Sequence, residues 1–79
     1  MMPFPLMMAD AGVRVRIVAL RGGVGLNKRM TEMGLNVGSE LTVRQRQGGG
    51  MVVSRGEMRF ALGGGMAQKV MVVRVASNE

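Results

Sequence analysis

The stretch Arg29-Met30-Thr31-Glu32-Met33-Gly34-Leu35-Asn36-Val37-Gly38-Ser39-Glu40-Leu41-Thr42-Val43 restricts the fold more than any other part of the chain. It reads as the end of a short helix, a glycine stop, a tight turn and an alternating strand. Leu26, Met30 and Met33 fall at i, i+4 and i+7, one face of a helix. Gly34 supplies the left-handed residue that ends such a helix, and Leu35 stands where the apolar contact of a Schellman cap belongs. After Gly38, Leu41 and Val43 alternate with Thr42 and Arg44 as in a strand. A helix of about two turns cannot stand alone in water. It needs a sheet to lie on.

The rest of the chain supplies that sheet. Val13-Arg14-Val15-Arg16-Ile17 alternates apolar with charged residues, the pattern of a strand with one wet face, and Val18 to Leu20 continue it in a less clear phase. Gly22-Gly23-Val24-Gly25 is expected to be a flexible turn into a helix over 26–33. Glu40 to Arg46 is the second strand, Gln47-Gly48-Gly49-Gly50 a hairpin loop, and Met51 to Arg55 the third. Gly56-Glu57 turns into a fourth strand, Met58 to Leu62. Gly63-Gly64-Gly65 breaks the pattern, Met66 to Lys69 fits a single helical turn, and Val70 to Val75 closes as the fifth strand. Short strands, glycine turns and one small helix favour a closed barrel, because closure removes edges that would pair with other chains. The expected class is a small all-β, SH3-like barrel of five to six strands, with one short helix after the first main strand.

The 79 residues make a single domain, 1–79, with 1–8 and 76–79 expected to be mobile. The apolar start, Met1 to Met8, has no basic lead-in, carries Pro3 and Pro5, and meets Asp10 early, so it does not fit a signal peptide. No window approaches the ~20 apolar residues of a membrane span. A cytoplasmic protein is expected.

Composition argues against whole classes of chemistry. Cys and His are absent, and the acids are Asp10, Glu32, Glu40, Glu57 and Glu79, scattered along the chain. Transition metals favour imidazole, thiolate or clustered carboxylate, so no metal site and no cofactor is expected. Ser39, Ser54 and Ser77 have no base to activate them, and no enzyme is expected. The ten methionines offer thioether sulfur, but Met30, Met33, Met51 and Met58 lie in helix or strand phase and read as core filler. The glycines at 22–25 precede a helix, yet the chain holds no G-x-x-x-x-G-K-[ST] motif.

A net charge of +6 implies an anionic partner: nucleic acid, a phosphate-bearing ligand, a membrane surface or an acidic protein. With the helix placed at 26–33, Lys28 and Arg29 fall in its first turn and Glu32 near its end, each against the dipole at about 0.3–1 kcal/mol. The Lys28–Glu32 pair, in the weaker i, i+4 orientation, offsets about 0.3 kcal/mol. That misfit fits side chains kept for a partner and equally fits surface charge that drifts freely at so small a cost. Arg14, Arg16, Arg44, Arg46, Arg55 and Arg59 alternate with apolar residues and are expected to point outward as basic stripes. Phe4 and Phe60 are the only aromatics, so base-stacking recognition is not expected.

The run R-M-x-x-M-G-L-x-x-G-x-x-L-x-V, preceded by Leu20-Arg21-Gly22-Gly23 and followed by Phe60-Ala61-Leu62, Ala67 and Val70-x-Val72, resembles the ferrous iron transport protein A (FeoA) family over roughly residues 6–73. Met stands at positions 30 and 33, where the family more often has Leu. The resemblance implies an SH3-like fold and a small cytosolic accessory of bacterial ferrous iron uptake. The implied partner is a FeoB-type membrane transporter, met through its cytosolic GTP-binding domain. Arg21, Lys28, Arg29, Glu32 and Asn36 are the candidate partner-binding residues, with Arg29 or Arg21 the candidates for an arginine supplied in trans. A basic nucleic-acid-binding module, or the accessory domain of a metal-responsive repressor, is the alternative.

Overall fold

The computed structural model describes residues 2–76. Among them, six strands form one antiparallel sheet: β1 (Phe4–Pro5), β2 (Arg14–Leu20), β3 (Glu40–Gln47), β4 (Gly50–Arg55), β5 (Met58–Gly63) and β6 (Val70–Arg74). The spatial order is β1-β6-β2-β3-β4-β5. A 3₁₀ turn at Leu6–Met8 follows β1, helix α1 (Gly23–Glu32) links β2 to β3, and the short helix α2 (Gly64–Ala67) links β5 to β6. This is the SH3-like arrangement that the spacing of strands and turns predicts.

Alternation sets the inside of the barrel. Val15 and Ile17 of β2, Leu41 and Val43 of β3, Met51 and Val53 of β4, and Val70 and Val72 of β6 are all buried in one core. The sheet curls without closing by hydrogen bonds: β1 and β5 remain its two edges. Packing fills the gap. Leu6 from the 3₁₀ turn and Ala67 from α2 enter the same core, and Gly64 lies so near the Gly49 carbonyl that an added Cβ would clash with it.

Two irregularities decide which side chains face out. The β2–β6 register shifts between Ile17 and Ala19, and the β3–β4 register shifts between Val43 and Gln45. Each extra residue is a bulge that turns the side chains after it. Val18 is the first, which explains the unclear phase after Ile17. Arg44 is the second; it moves Arg46 to the core side of the strand, although the residue is exposed, as its alternation predicts. Beyond the bulge Arg46 pairs with the core residue Met51, and its Nη1 donates to the Ala9 carbonyl at 3.2 Å.

The N-terminal segment differs from expectation as well. Phe4 and Pro5 pair with Val72 and Met71 of β6, and Leu6 is fully buried. Proline suits this position because the backbone N–H of an edge strand is not needed by a further neighbour. The expectation of a mobile stretch therefore does not hold from Phe4 to Met8; at the other end, 77–79 lie outside the described residues. Met58 also departs from its expected role: it starts β5 beside the Gly56-Glu57 turn and is more than half exposed.

Candidate functional site: the outer face of helix α1

Helix α1 begins three residues earlier than its apolar spacing predicts. Gly22 precedes it with no side-chain cap, and Gly23 enters with φ +75°, a conformation costly to any residue with a Cβ. The glycines that look like a loop in the sequence thus form the first turn. Leu26 and Met30 anchor the helix in the core, and Met33 is half-buried beside them.

The C-terminal end is a Schellman motif. The Gly34 N–H donates to the Thr31 carbonyl at 2.9 Å, and the Leu35 N–H donates to the Met30 carbonyl at 2.8 Å. Gly34 has φ +73°, and Leu35 is fully buried, as the apolar contact of this cap requires. Thr31 Oγ1 donates to Asn36 Oδ1 at 3.1 Å, while the Asn36 N–H donates to Ser39 Oγ at 3.0 Å. Asn36, a candidate for partner contact, thus holds the helix end to the turn that leads into β3.

The earlier start changes the electrostatics. Lys28 now sits mid-helix and Arg29 in the last turn, where the dipole favours a cation. Glu32 still stands at the unfavourable end. The dipole misfit expected of Lys28 and Arg29 therefore disappears, because it rested on the later start. Lys28 and Glu32 also form no ion pair; among the described residues the ion pairs are Arg14–Glu40 at 3.1 Å and Arg16–Glu40 at 3.2 Å.

Arg21, Lys28, Arg29, Glu32 and Asn36 are all exposed. At about 100° per residue, Lys28 and Glu32 share the face opposite Met30, and Arg29 lies on its flank. Val24, Asn27, Lys28, Thr31 and Glu32 border one shallow open concavity there. Val24, 85% exposed, is the residue that sequence reasoning missed; no local signal marks it. Arg21 stands apart, just before the helix, where its N–H donates to the Lys69 carbonyl at 2.8 Å. The structure thus groups Lys28 and Glu32, sets Arg29 beside them and Arg21 at the other end, and gives Asn36 a role within the fold. No cluster of three His, Cys, Asp or Glu able to hold a metal ion occurs among the described residues.

A family model described as the FeoA domain matches residues 4–74. The chain belongs to the FeoA family. A Methanocaldococcus jannaschii protein described as "Putative Fe(2+) transport protein A" is 36% identical over 69 residues, covering 87% of this chain and 84% of that protein. A crystal structure of an iron uptake regulatory protein, FeoA, aligns at 29% identity with a TM-score of 0.83, covering 95% of this chain and all of that one. A manganese-dependent transcriptional repressor aligns at 20% identity with a TM-score of 0.86, over 92% of this chain and 41% of the repressor, which shows a shared fold. The FeoA match spans all six strands and both helices, so it takes in α1 and its capped end as well as the sheet.

Proposed function

We propose that this FeoA-family protein is a cytosolic, non-enzymatic accessory of ferrous iron uptake that docks on the cytosolic GTP-binding domain of a FeoB-type transporter. The observation that carries this reading is the family match from residue 4 to 74, joined to a helix that commits one stripe to the core and leaves the rest uncommitted. Lys28, Arg29 and Glu32 take no part in an ion pair among the described residues, so their charges are available to a partner. Val24 adds an exposed apolar contact beside them. A mixed polar and apolar helix face suits a regulated protein contact, in which charge sets orientation and encounter rate. No helix among the described residues is long and apolar enough to cross a membrane, consistent with a partner that supplies the membrane span.

Two modes of action separate cleanly. An arginine given in trans to a GTPase accelerates hydrolysis by about 10³–10⁵, and Arg29 and Arg21 are the exposed candidates next to α1. Passive docking leaves turnover unchanged. The test measures GTP turnover by the transporter's isolated GTP-binding domain with and without this protein, then with R29A and R21A. Acceleration lost in one variant identifies the arginine; binding without acceleration leaves docking alone.

A further inference from the structure

A second group of charges lies away from α1, on the outer face of the sheet. Arg14 pairs with Thr42, Thr42 with Ser54, and Ser54 with Arg59, in one row across β2, β3, β4 and β5. Directly opposed residues in an antiparallel sheet project to the same face. Arg16 joins the row two residues along from Arg14. Arg44, two residues after Thr42, lies on the same face, where its Nε donates to Ser54 Oγ at 2.8 Å. Ser54 is a polar residue only 4% exposed, so the guanidinium of Arg44 is held by a buried anchor. Four guanidiniums thus share a face with one carboxylate, Glu40, which Arg14 and Arg16 hold between them. Arg59 has no side-chain hydrogen bond or ion pair among the described residues.

We propose that this arginine face binds the anionic surface of a lipid bilayer. The proposal rests on the reading of the protein as a transporter accessory, which places it beside a membrane. Arginine forks match phosphate oxygens two at a time. Arg14 and Arg16 stand two residues apart on β2, and Arg44 and Arg59 both adjoin Ser54, so neighbouring guanidiniums along the curved outer surface reach separate headgroups. Nucleic acid fits the same face less well. It carries no aromatic ring on which a base would stack. It is the outer face of the sheet, whereas Leu26 and Met30 fix α1 to the core side. Both surfaces can therefore be engaged together, and two weak contacts on one membrane assembly reinforce each other through effective concentration.

The test is co-sedimentation of the intact protein with vesicles of phosphatidylglycerol and phosphatidylcholine in equal parts, against pure phosphatidylcholine. Binding to the anionic vesicles alone, weakening as salt rises, is expected. Each arginine removed should lower the partition coefficient about fivefold, so R44Q/R59Q lowers it roughly twenty-five-fold. R59Q breaks no bond within the fold and guards against a folding artefact. E40Q should act in the opposite direction and raise partitioning. Equal binding to neutral vesicles, indifference to all three variants, or release by duplex DNA at matched phosphate concentration would overturn the proposal, the last in favour of nucleic acid. The assay contains no transporter, so a failure here is distinct from a failure of docking on the GTP-binding domain.

Discussion

The side chain of Arg55 packs directly over Gly34: a Cβ added to Gly34 would stand 2.7 Å from Arg55 Nη2. The residue that ends α1 is thus held between two demands, a left-handed backbone and a guanidinium on top. Arg55 pairs with Met58 at the end of the β4–β5 hairpin and lies in the phase opposite to Ser54. It does not join the outer basic face, although its alternation predicts an outward side chain. Its charge instead lies at the C-terminal end of the helix, where a cation is favoured.

Gly34→Ala should destabilise the fold by roughly 1–2 kcal/mol, the cost of a left-handed residue with a Cβ, because the exposed end of the Arg55 side chain can swing aside at little cost. For a chain of this size each 1 kcal/mol lowers the melting temperature by about 4–8 °C. Gly34→Asn should cost less through the backbone, since Asn visits this conformation more readily, while still displacing Arg55. Thermal melts of the two variants read the difference.

The N-terminal segment yields a second expectation. Leu6 is fully buried in the common core, whereas Met2 is 85% exposed. Leu6→Ala should cost about 2–5 kcal/mol. Met2→Ala should stay within about 0.5 kcal/mol. Urea denaturation distinguishes a segment that seals the barrel from one that trails it.

The glycine triplet at β5–α2 separates into positions with different demands. A Cβ on Gly64 would meet the Gly49 carbonyl, backbone against backbone, while one on Gly65 would meet nothing within 4 Å. Gly64→Ala should destabilise by about 1–3 kcal/mol, the usual range for overpacking. Gly65→Ala should be neutral or stabilising by up to about 1 kcal/mol, because it stiffens the unfolded chain at an unstrained helical position. Equilibrium melts of both variants check the pair.

The contrast between Gly34 and Gly23 shows what the sequence could disclose. Gly34 follows a clear i, i+4, i+7 apolar series, so its role as a helix stop was readable, together with the buried Leu35 after it. Gly23 begins the same helix, but glycine carries no periodic signal, so the apolar spacing starts the helix three residues late. The later start implies a clash between Lys28, Arg29 and the dipole which the folded chain does not contain. The strand pattern was readable until Val18 and Arg44, where one inserted residue reverses the phase; alternation alone cannot announce a bulge. Alternation shows that Arg14, Arg16, Arg44 and Arg59 point outward, but their alignment into one row depends on register across four strands. Phe4–Pro5 was missed because two residues flanked by proline carry too little alternation to register as a strand. Of the candidate site, Arg21, Lys28, Arg29 and Glu32 are exposed, whereas the role of Asn36 in the turn and the exposure of Val24 have no local signal in the sequence.

The most direct measurement is the affinity of the purified GTP-binding domain of a FeoB-type transporter for this protein, by titration calorimetry, with K28E and R29E as probes of the α1 face. The account predicts saturable one-to-one binding that each reversal weakens by tenfold or more, or about 1.4 kcal/mol, with melting temperatures close to that of the parent. No saturable binding up to about 1 mM, or binding that both reversals leave unchanged, would contradict it.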